Sequence, residues 1–310
     1  MRALVVPSTA ATPEVIELPT PTPGEGELLV RIYAASLNGF DLSVAAGYVE
    51  QMMEHRYPVV LGKDFAGVVE AVGAGVEGFA VGDRVFGVVT KEYLGDGSFG
   101  EYVSVPAAIG VAKLPDGVSF AEGAALGLAG TAARMSVDAA GPSAGQVVLV
   151  IGATGGVGNH AVQLAARAGA TVIATAHGEQ EQELVRRLGA AHVVDHTTSL
   201  ADGVLAVAPE GVDTVLHFAG DPAEYATLVR PGGAFVSTRI DSPDQVPAEN
   251  VTVVGIYAQP TPDVLDAIAA DQANGAVTVH VQRTYRLDEA AQAMADFAAG
   301  TLGKLVVEVS

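Results

Sequence analysis

The chain has 310 residues, about twice the length of an average single domain, so two domains are expected rather than one large core. Thirty-six Asp+Glu against 16 Lys+Arg give a net charge of −20, which repels nucleic-acid phosphates and anionic membranes alike, and no basic patch offsets it. There is no cysteine, which removes disulfides, thiolate zinc sites, iron–sulfur clusters and a cysteine nucleophile together.

The N-terminal run Met1-Arg2-Ala3-Leu4-Val5-Val6-Pro7 is too short for a signal peptide. No segment reaches the ~18 unbroken apolar residues of a membrane span. A soluble, cytoplasmic protein is therefore expected, with neither nucleic acid nor membrane as partner. Residues 27–33, 65–72, 81–87 and 99–105 read as short strands separated by glycine-rich turns, which points to a small barrel. The character changes near residue 120, where 120–137 is Ala-rich with helical periodicity. From there apolar strands at 147–151, 171–176, 192–195, 214–218, 234–238 and 251–257 alternate with helices, as a buried parallel sheet requires. A helix follows near 262–274, and the tail ends in an apolar strand, 305–309. The expected layout is a β-rich domain, 1–118 and 260–310, interrupted by an α/β domain, 119–259.

The most informative stretch follows the strand 147–151: Gly152-Ala153-Thr154-Gly155-Gly156-Val157-Gly158, opening into a helix. Gly152 permits the tight turn. Gly155 and Gly156 let backbone approach a pyrophosphate, and Gly158 lets the helix pack close to the strand. Because the glycines follow a strand, open a helix and head a βαβαβ series, these seven residues are expected to bind a dinucleotide on a Rossmann doubly wound sheet. The second strand ends Thr175-Ala176-His177-Gly178 without the carboxylate that grips a ribose 2′-hydroxyl, so NADPH is preferred to NADH. His177 is the only candidate cation there, and the acidic run 179–183 works against a 2′-phosphate.

Asn38-Gly39-Phe40-Asp41, Gly62-Lys63-Asp64-Phe65-Ala66-Gly67, Val81-Gly82-Asp83-Arg84-Val85, Gly97-Ser98-Phe99-Gly100-Glu101-Tyr102 and the glycine loop occur in that order, with Gly303-Lys304-Leu305-Val306 near the end. Across essentially the whole chain this resembles the medium-chain dehydrogenase/reductase superfamily, in its zinc-independent quinone oxidoreductase (zeta-crystallin-like) branch. The resemblance implies an α/β protein: a GroES-like β-barrel domain beside the Rossmann domain, with the active site in the cleft between them. Zinc-dependent members of the superfamily take a Cys near Asn38, a His near Lys63 and a further Cys. Here stand Asn, Lys and no Cys, so no metal is expected.

A metal-free hydride enzyme needs an acceptor that delocalises the incoming charge, which makes a quinone or an α,β-unsaturated carbonyl the implied substrate. By the same resemblance Asn38 is the polar contact at the cleft floor and Tyr48 the proton donor or substrate contact. Thr131 stands beside the nicotinamide ribose. His217, Phe218, Ala219, Gly220 and Ser237 contact the cofactor from the ends of the fourth and fifth parallel strands, and Lys304 reaches cofactor or cleft. Asp41 and Asp64 are expected to pair with Lys63 or an arginine. Each has a plain structural alternative: a loop-capping Asn38, a packed Tyr48, a helix-face Thr131, a solvated Lys304. Homodimerisation through the edge strand 251–256 is implied as well. Two rival functions stay open, an enoyl-thioester reductase of fatty-acid or polyketide metabolism and an NADPH-binding regulatory protein without turnover.

Overall fold

A computed structural model describes residues 1–309. The chain divides into two compact units, Met1–Thr131 with the chain from Gln259 onward, and Ala132–Ala258.

The first unit begins with β1 (Arg2–Val6), β2 (Glu14–Glu17), β3 (Glu27–Ser36), α1 (Gly39–Ala45), β4 (Glu54–His55), β5 (Val59–Val60), β6 (Asp64–Val72), β7 (Arg84–Val88), β8 (Tyr93–Leu94), β9 (Tyr102–Pro106) and β10 (Val111–Lys113). α2 (Phe120–Ala140) opens on a capping box, with Ser119 Oγ accepting from Glu122 N–H and the Glu122 carboxylate accepting from Ser119 N–H. The sequence places the change of character at residue 120, whereas the units divide inside this helix. Ala124, Ala125 and Leu126 join the core of the first unit, and Ala133 and Val137 that of the second.

The second unit contains β11 (Val147–Ile151), α3 (Gly156–Arg167), β12 (Thr171–Thr175), α4 (Gly178–Arg187), β13 (His192–Val194), α5 (Leu200–Val207), β14 (Val212–His217), α6 (Pro222–Ala226), β15 (Val229–Ser237) and β16 (Thr252–Gly255). Its six parallel strands lie in the order β13-β12-β11-β14-β15-β16, the dinucleotide-fold order in which direction reverses between β11 and β14. Val148, Leu149 and Val150 are fully buried, because a strand covered on both faces needs an unbroken apolar run.

The chain then returns to the first unit with α7 (Pro262–Ala273), β17 (Val281–Arg286), α8 (Ala290–Ala298) and β18 (Lys304–Glu308). β3 is the spine of the larger sheet. It pairs along one edge with β6, and along the other with β9 over residues 27–31 and with β18 over residues 34–36. Sequence pattern missed β17 and α8, and it ended β3 at residue 33. The Ala34-Ala35-Ser36 extension has no strand propensity of its own and is extended because it pairs with β6 on one side and β18 on the other.

Candidate active site

In the second unit the chain turns at Gly152, where a φ of 76° lies in the left-handed region open to glycine. Gly152 N–H donates to Thr175 Oγ1 at 3.0 Å, and that hydroxyl donates to the Val150 carbonyl at 3.3 Å, so the turn is tied to β12. Asn159 is buried and donates from Nδ2 to the carbonyls of Ala153 and Gly155, each at 3.1 Å, which fixes the shape of loop 152–158. α3 follows Gly155 with no side-chain cap and no acidic residue in its first turn. By contrast α4 and α5 carry acids in their first turns, and α6 is capped by Asp221. Alone among these helices, α3 leaves its N-terminal N–H groups and its positive dipole end for an anion from outside. A Cβ on Gly158 would overlap the Gly152 carbonyl oxygen and sit 2.6 Å from Ala153 Cα, so helix and turn close on each other through glycine alone. The residues fit a pyrophosphate.

Across the strand-order reversal, Ala219 lies against the same turn, its Cβ 3.0 Å from where a Gly152 Cβ would stand. Ala219 and Gly220 are exposed and Phe218 partly so, just beyond the end of β14. His217 and Ser237 behave differently. They are register partners, both fully buried, and His217 Nδ1 meets Ser237 Oγ at 2.9 Å while that oxygen also accepts from Arg239 N–H at 3.0 Å. Burial, and then the charge of Arg239, push His217 down to about 4, so the ring is neutral at pH 7. The Nδ1 side of His217 and the Ser237 hydroxyl thus hold each other, bracing the ends of β14 and β15, while the buried His217 Nε2 has no hydrogen-bond partner among the described residues.

His177 is the N-cap of α4, and its backbone N–H donates to Glu181. Its ring Nδ1 lies 3.0 Å from Asp195 Oδ2, beyond the tip of β13. The Thr197 hydroxyl and N–H, followed by His177, hold Asp195 down at about 2. The expected cation is thus already engaged by a carboxylate that sequence reading passed over.

The first unit holds a buried polar cluster where β3, α1, β6 and β18 meet. Asp64 is fully buried. Its Oδ1 accepts from Leu128 N–H at 2.7 Å, and its Oδ2 from Ser36 Oγ at 2.8 Å and Asn38 Nδ2 at 2.9 Å. Lys304 is 2% exposed, and its ammonium donates to the Leu37 carbonyl and to Asn38 Oδ1, each at 2.8 Å, with Asp64 Oδ2 at 3.3 Å. All three ammonium protons of Lys304 thus have protein acceptors, one of them on Asn38. Asn38 is likewise bonded at both ends of its amide, and its own N–H donates to Asp41 at 2.8 Å. It holds the loop rather than presenting a free amide.

Asp64 pairs with Lys304 and not with Lys63. Thr131 is fully buried and donates to the Gly127 carbonyl at 2.8 Å, as a helix-face threonine does. Tyr48 is 80% exposed just beyond α1, outside the cluster.

Two family models match the chain, the alcohol dehydrogenase GroES-like domain over residues 24–116 and the zinc-binding dehydrogenase over residues 156–261. A mycocerosic acid synthase-like polyketide synthase of Mycolicibacterium smegmatis is 40% identical over 74% of this chain, which spans only 11% of that protein. The quinone oxidoreductase of Sus scrofa is 31% identical over 95% of this chain and 94% of its own. The chain belongs to the quinone oxidoreductase family of the medium-chain dehydrogenase/reductase superfamily. Among solved structures, mycobacterial Rv1454c complexed with NADPH superposes with a TM-score of 0.87 at 27% identity, covering 99% of both chains.

The second family model is named for zinc binding. The chain has no cysteine, and the described residues hold no group of three His, Cys, Asp or Glu able to bind a metal. At the family positions Asn38 is committed to Lys304 and Asp64, and Lys63 is an ammonium. Sequence reading also missed Asn159 and Thr175. The signal for both was their place beside the glycine loop, one opening the helix and the other ending the next strand.

Asp41 supplies a pH test for this quinone oxidoreductase family member. Burial, helped by the charge of Asp64, pushes its carboxyl up to about 7 against the pull of Asn38 N–H, Lys304 and Lys63. A carboxyl raised in the folded state adds stability that is complete below the unfolded value of 3.8 and is lost as pH rises to about 7. His217 slopes the other way between about 4 and 6.5, so the difference between proteins is the quantity to read. Melting curves of wild type and Asp41→Asn from pH 4 to 8 should converge on acidification and separate on approach to neutrality, with wild type the less stable there relative to its value at pH 4. Parallel curves would remove Asp41 as a titrating group.

Proposed function

We propose that the protein is an NADPH-dependent, metal-free reductase of quinones or α,β-unsaturated carbonyls. The single observation that carries it is the uncapped, acid-free N-terminus of α3 closed by Gly158 onto Gly152, which fits the pyrophosphate of a dinucleotide. The bound nicotinamide supplies the hydride. The chain's own part is to bind the pyrophosphate at residues 152–158, to take the rest of the cofactor along the backbone of Phe218, Ala219 and Gly220, and to keep the Asn38 loop rigid through Lys304. NADPH consumption followed by stopped flow over a panel of quinones and enones should show turnover. Tight cofactor binding with no turnover on any of them would leave the silent regulatory reading.

Similarity to a polyketide synthase favours a second reading, reduction of an enoyl thioester. Crotonyl thioester and naphthoquinone compared at equal concentration separate the two, and faster turnover of the thioester would replace the first.

The missing carboxylate at Ala176-His177 and the NADPH complex of Rv1454c support NADPH. Asp195, ionised beside His177, opposes a 2′-phosphate. Asp195→Asn is therefore expected to raise the preference for NADPH over NADH by about 3- to 10-fold, read as a ratio of dissociation constants by fluorescence. An unchanged ratio would take His177 and Asp195 out of the 2′-subsite. β16 is the edge of its sheet, with Tyr257 79% exposed beyond it, and a second copy pairing there would make the expected homodimer. A monomer in sedimentation at micromolar concentration would contradict this.

A further inference from the structure

Ten Lys and Arg side chains lie in the described part of the first unit, and nine have a hydrogen-bond or ion-pair partner. Lys304, Lys91 and Lys113 pair with carboxylates, Arg84 donates to carbonyls, and the remaining arginines lie against Asp or Glu. Lys63 is the exception. Among the described residues its ammonium has neither a hydrogen-bond acceptor nor an ion-pair partner, and it lies 5.3 Å from the centroid of the Phe40 ring. In a chain with 36 carboxylates this is not for want of acids.

The nearby acids are engaged elsewhere. Both oxygens of Asp64 are filled by Leu128, Ser36, Asn38 and Lys304, and Asp41 accepts from Asn38 N–H. The Lys63 backbone is fixed. Gly62 before it has a φ of 98°, where a Cβ would collide with Ser98 and Phe99, and the Lys63 carbonyl accepts from Val89 N–H at 2.8 Å. Its side chain is half-buried, and burial pulls the ammonium down although Asp41 and Asp64 resist. A backbone-fixed, partly dehydrated ammonium that has the Phe40 ring beside it but no hydrogen-bond acceptor among the described residues can take a ligand anion.

We infer that Lys63 is the oxyanion site of the first unit: its ammonium donates to the substrate oxygen on which negative charge collects during reduction, a phenolate or enolate oxygen. This rests on the reductase reading above. In that reaction reduced nicotinamide is oxidised and its hydride forms the new C–H bond. The displaced π pair comes to rest on oxygen, and solvent water supplies the proton that later neutralises it. Lys63 keeps its own proton throughout and holds the charge where it forms, while the adjacent Asn38 loop, bonded internally, supplies a rigid wall.

The test uses the full chain without nucleotide and 4-nitrophenol, whose phenolate absorbs in the visible. Wild type is expected to bind the phenolate form in competition with naphthoquinone. Lys63→Met should weaken this by about 10- to 100-fold, and Lys63→Arg should restore most of it. NADPH quenching, unchanged in all three, controls for folding. Equal phenolate affinity in wild type and Lys63→Met overturns the assignment, whatever the quinone assay gives. If wild type reduces no quinone or enone but the phenolate series behaves as stated, the reductase reading fails and the oxyanion site stands.

Discussion

Replacing Lys304 by methionine is expected to destabilise the protein by about 3–5 kcal/mol, the usual cost of breaking a buried charge pair from one side. The variant keeps the aliphatic stem but strands the Asp64 carboxylate in a fully buried site and leaves the Leu37 carbonyl and Asn38 Oδ1 without their donor. Adding Asp64→Asn removes the stranded charge, so the double variant should recover part of the loss, and a double-mutant cycle should show strong coupling. Urea denaturation reads both. NADPH affinity of the folded protein should be unchanged in Lys304→Met. A loss below about 1 kcal/mol together with weaker cofactor binding would return Lys304 to the cofactor.

The second large effect is at the glycine loop. Gly158→Ala puts a methyl group into the Gly152 carbonyl and Ala153 backbone, neither of which is the end of a flexible side chain. Overpacking of this kind costs about 1–3 kcal/mol. Relief requires the turn to open, which spoils the N–H array at the start of α3. NADPH affinity should fall by about 10- to 100-fold, with a lower melting temperature. Gly155→Ala provides the contrast. A Cβ there meets only the Gly152 carbonyl oxygen at 3.5 Å, ordinary contact, so the unliganded protein should melt like wild type while the cofactor still binds less well. If Gly158→Ala bound NADPH normally, the loop would not be the pyrophosphate site.

Reading the sequence recovered what depends on neighbours in the chain. β11 was legible residue for residue, because a strand buried on both faces writes itself as Val147-Val148-Leu149-Val150-Ile151. The turn at the glycine loop was legible because its seven residues lie together between a strand and a helix. α1 was not, since seven residues carry little periodicity and it is anchored by the Asp41 carboxylate on Asn38 N–H. The roles of Asn38 and Lys304 were beyond reach because they form one unit across 266 residues of chain. His217 and Ser237 were placed rightly at strand ends. Their engagement with each other comes from the parallel register of β14 and β15, which no local pattern records.

The return of the chain to β18 sets an order of events during synthesis. Lys304 lies 240 residues after Asp64, so the ribosome adds it roughly 10–50 s later at ordinary rates of translation. Throughout that interval the nascent first unit carries a carboxylate destined for a dry interior without its counter-ion, and β3 lacks β18 along residues 34–36. The second unit is contiguous and can finish as soon as β16 emerges. The part of the molecule begun first is therefore completed last, and its exposed β3 edge is where a nascent-chain chaperone would have most to protect.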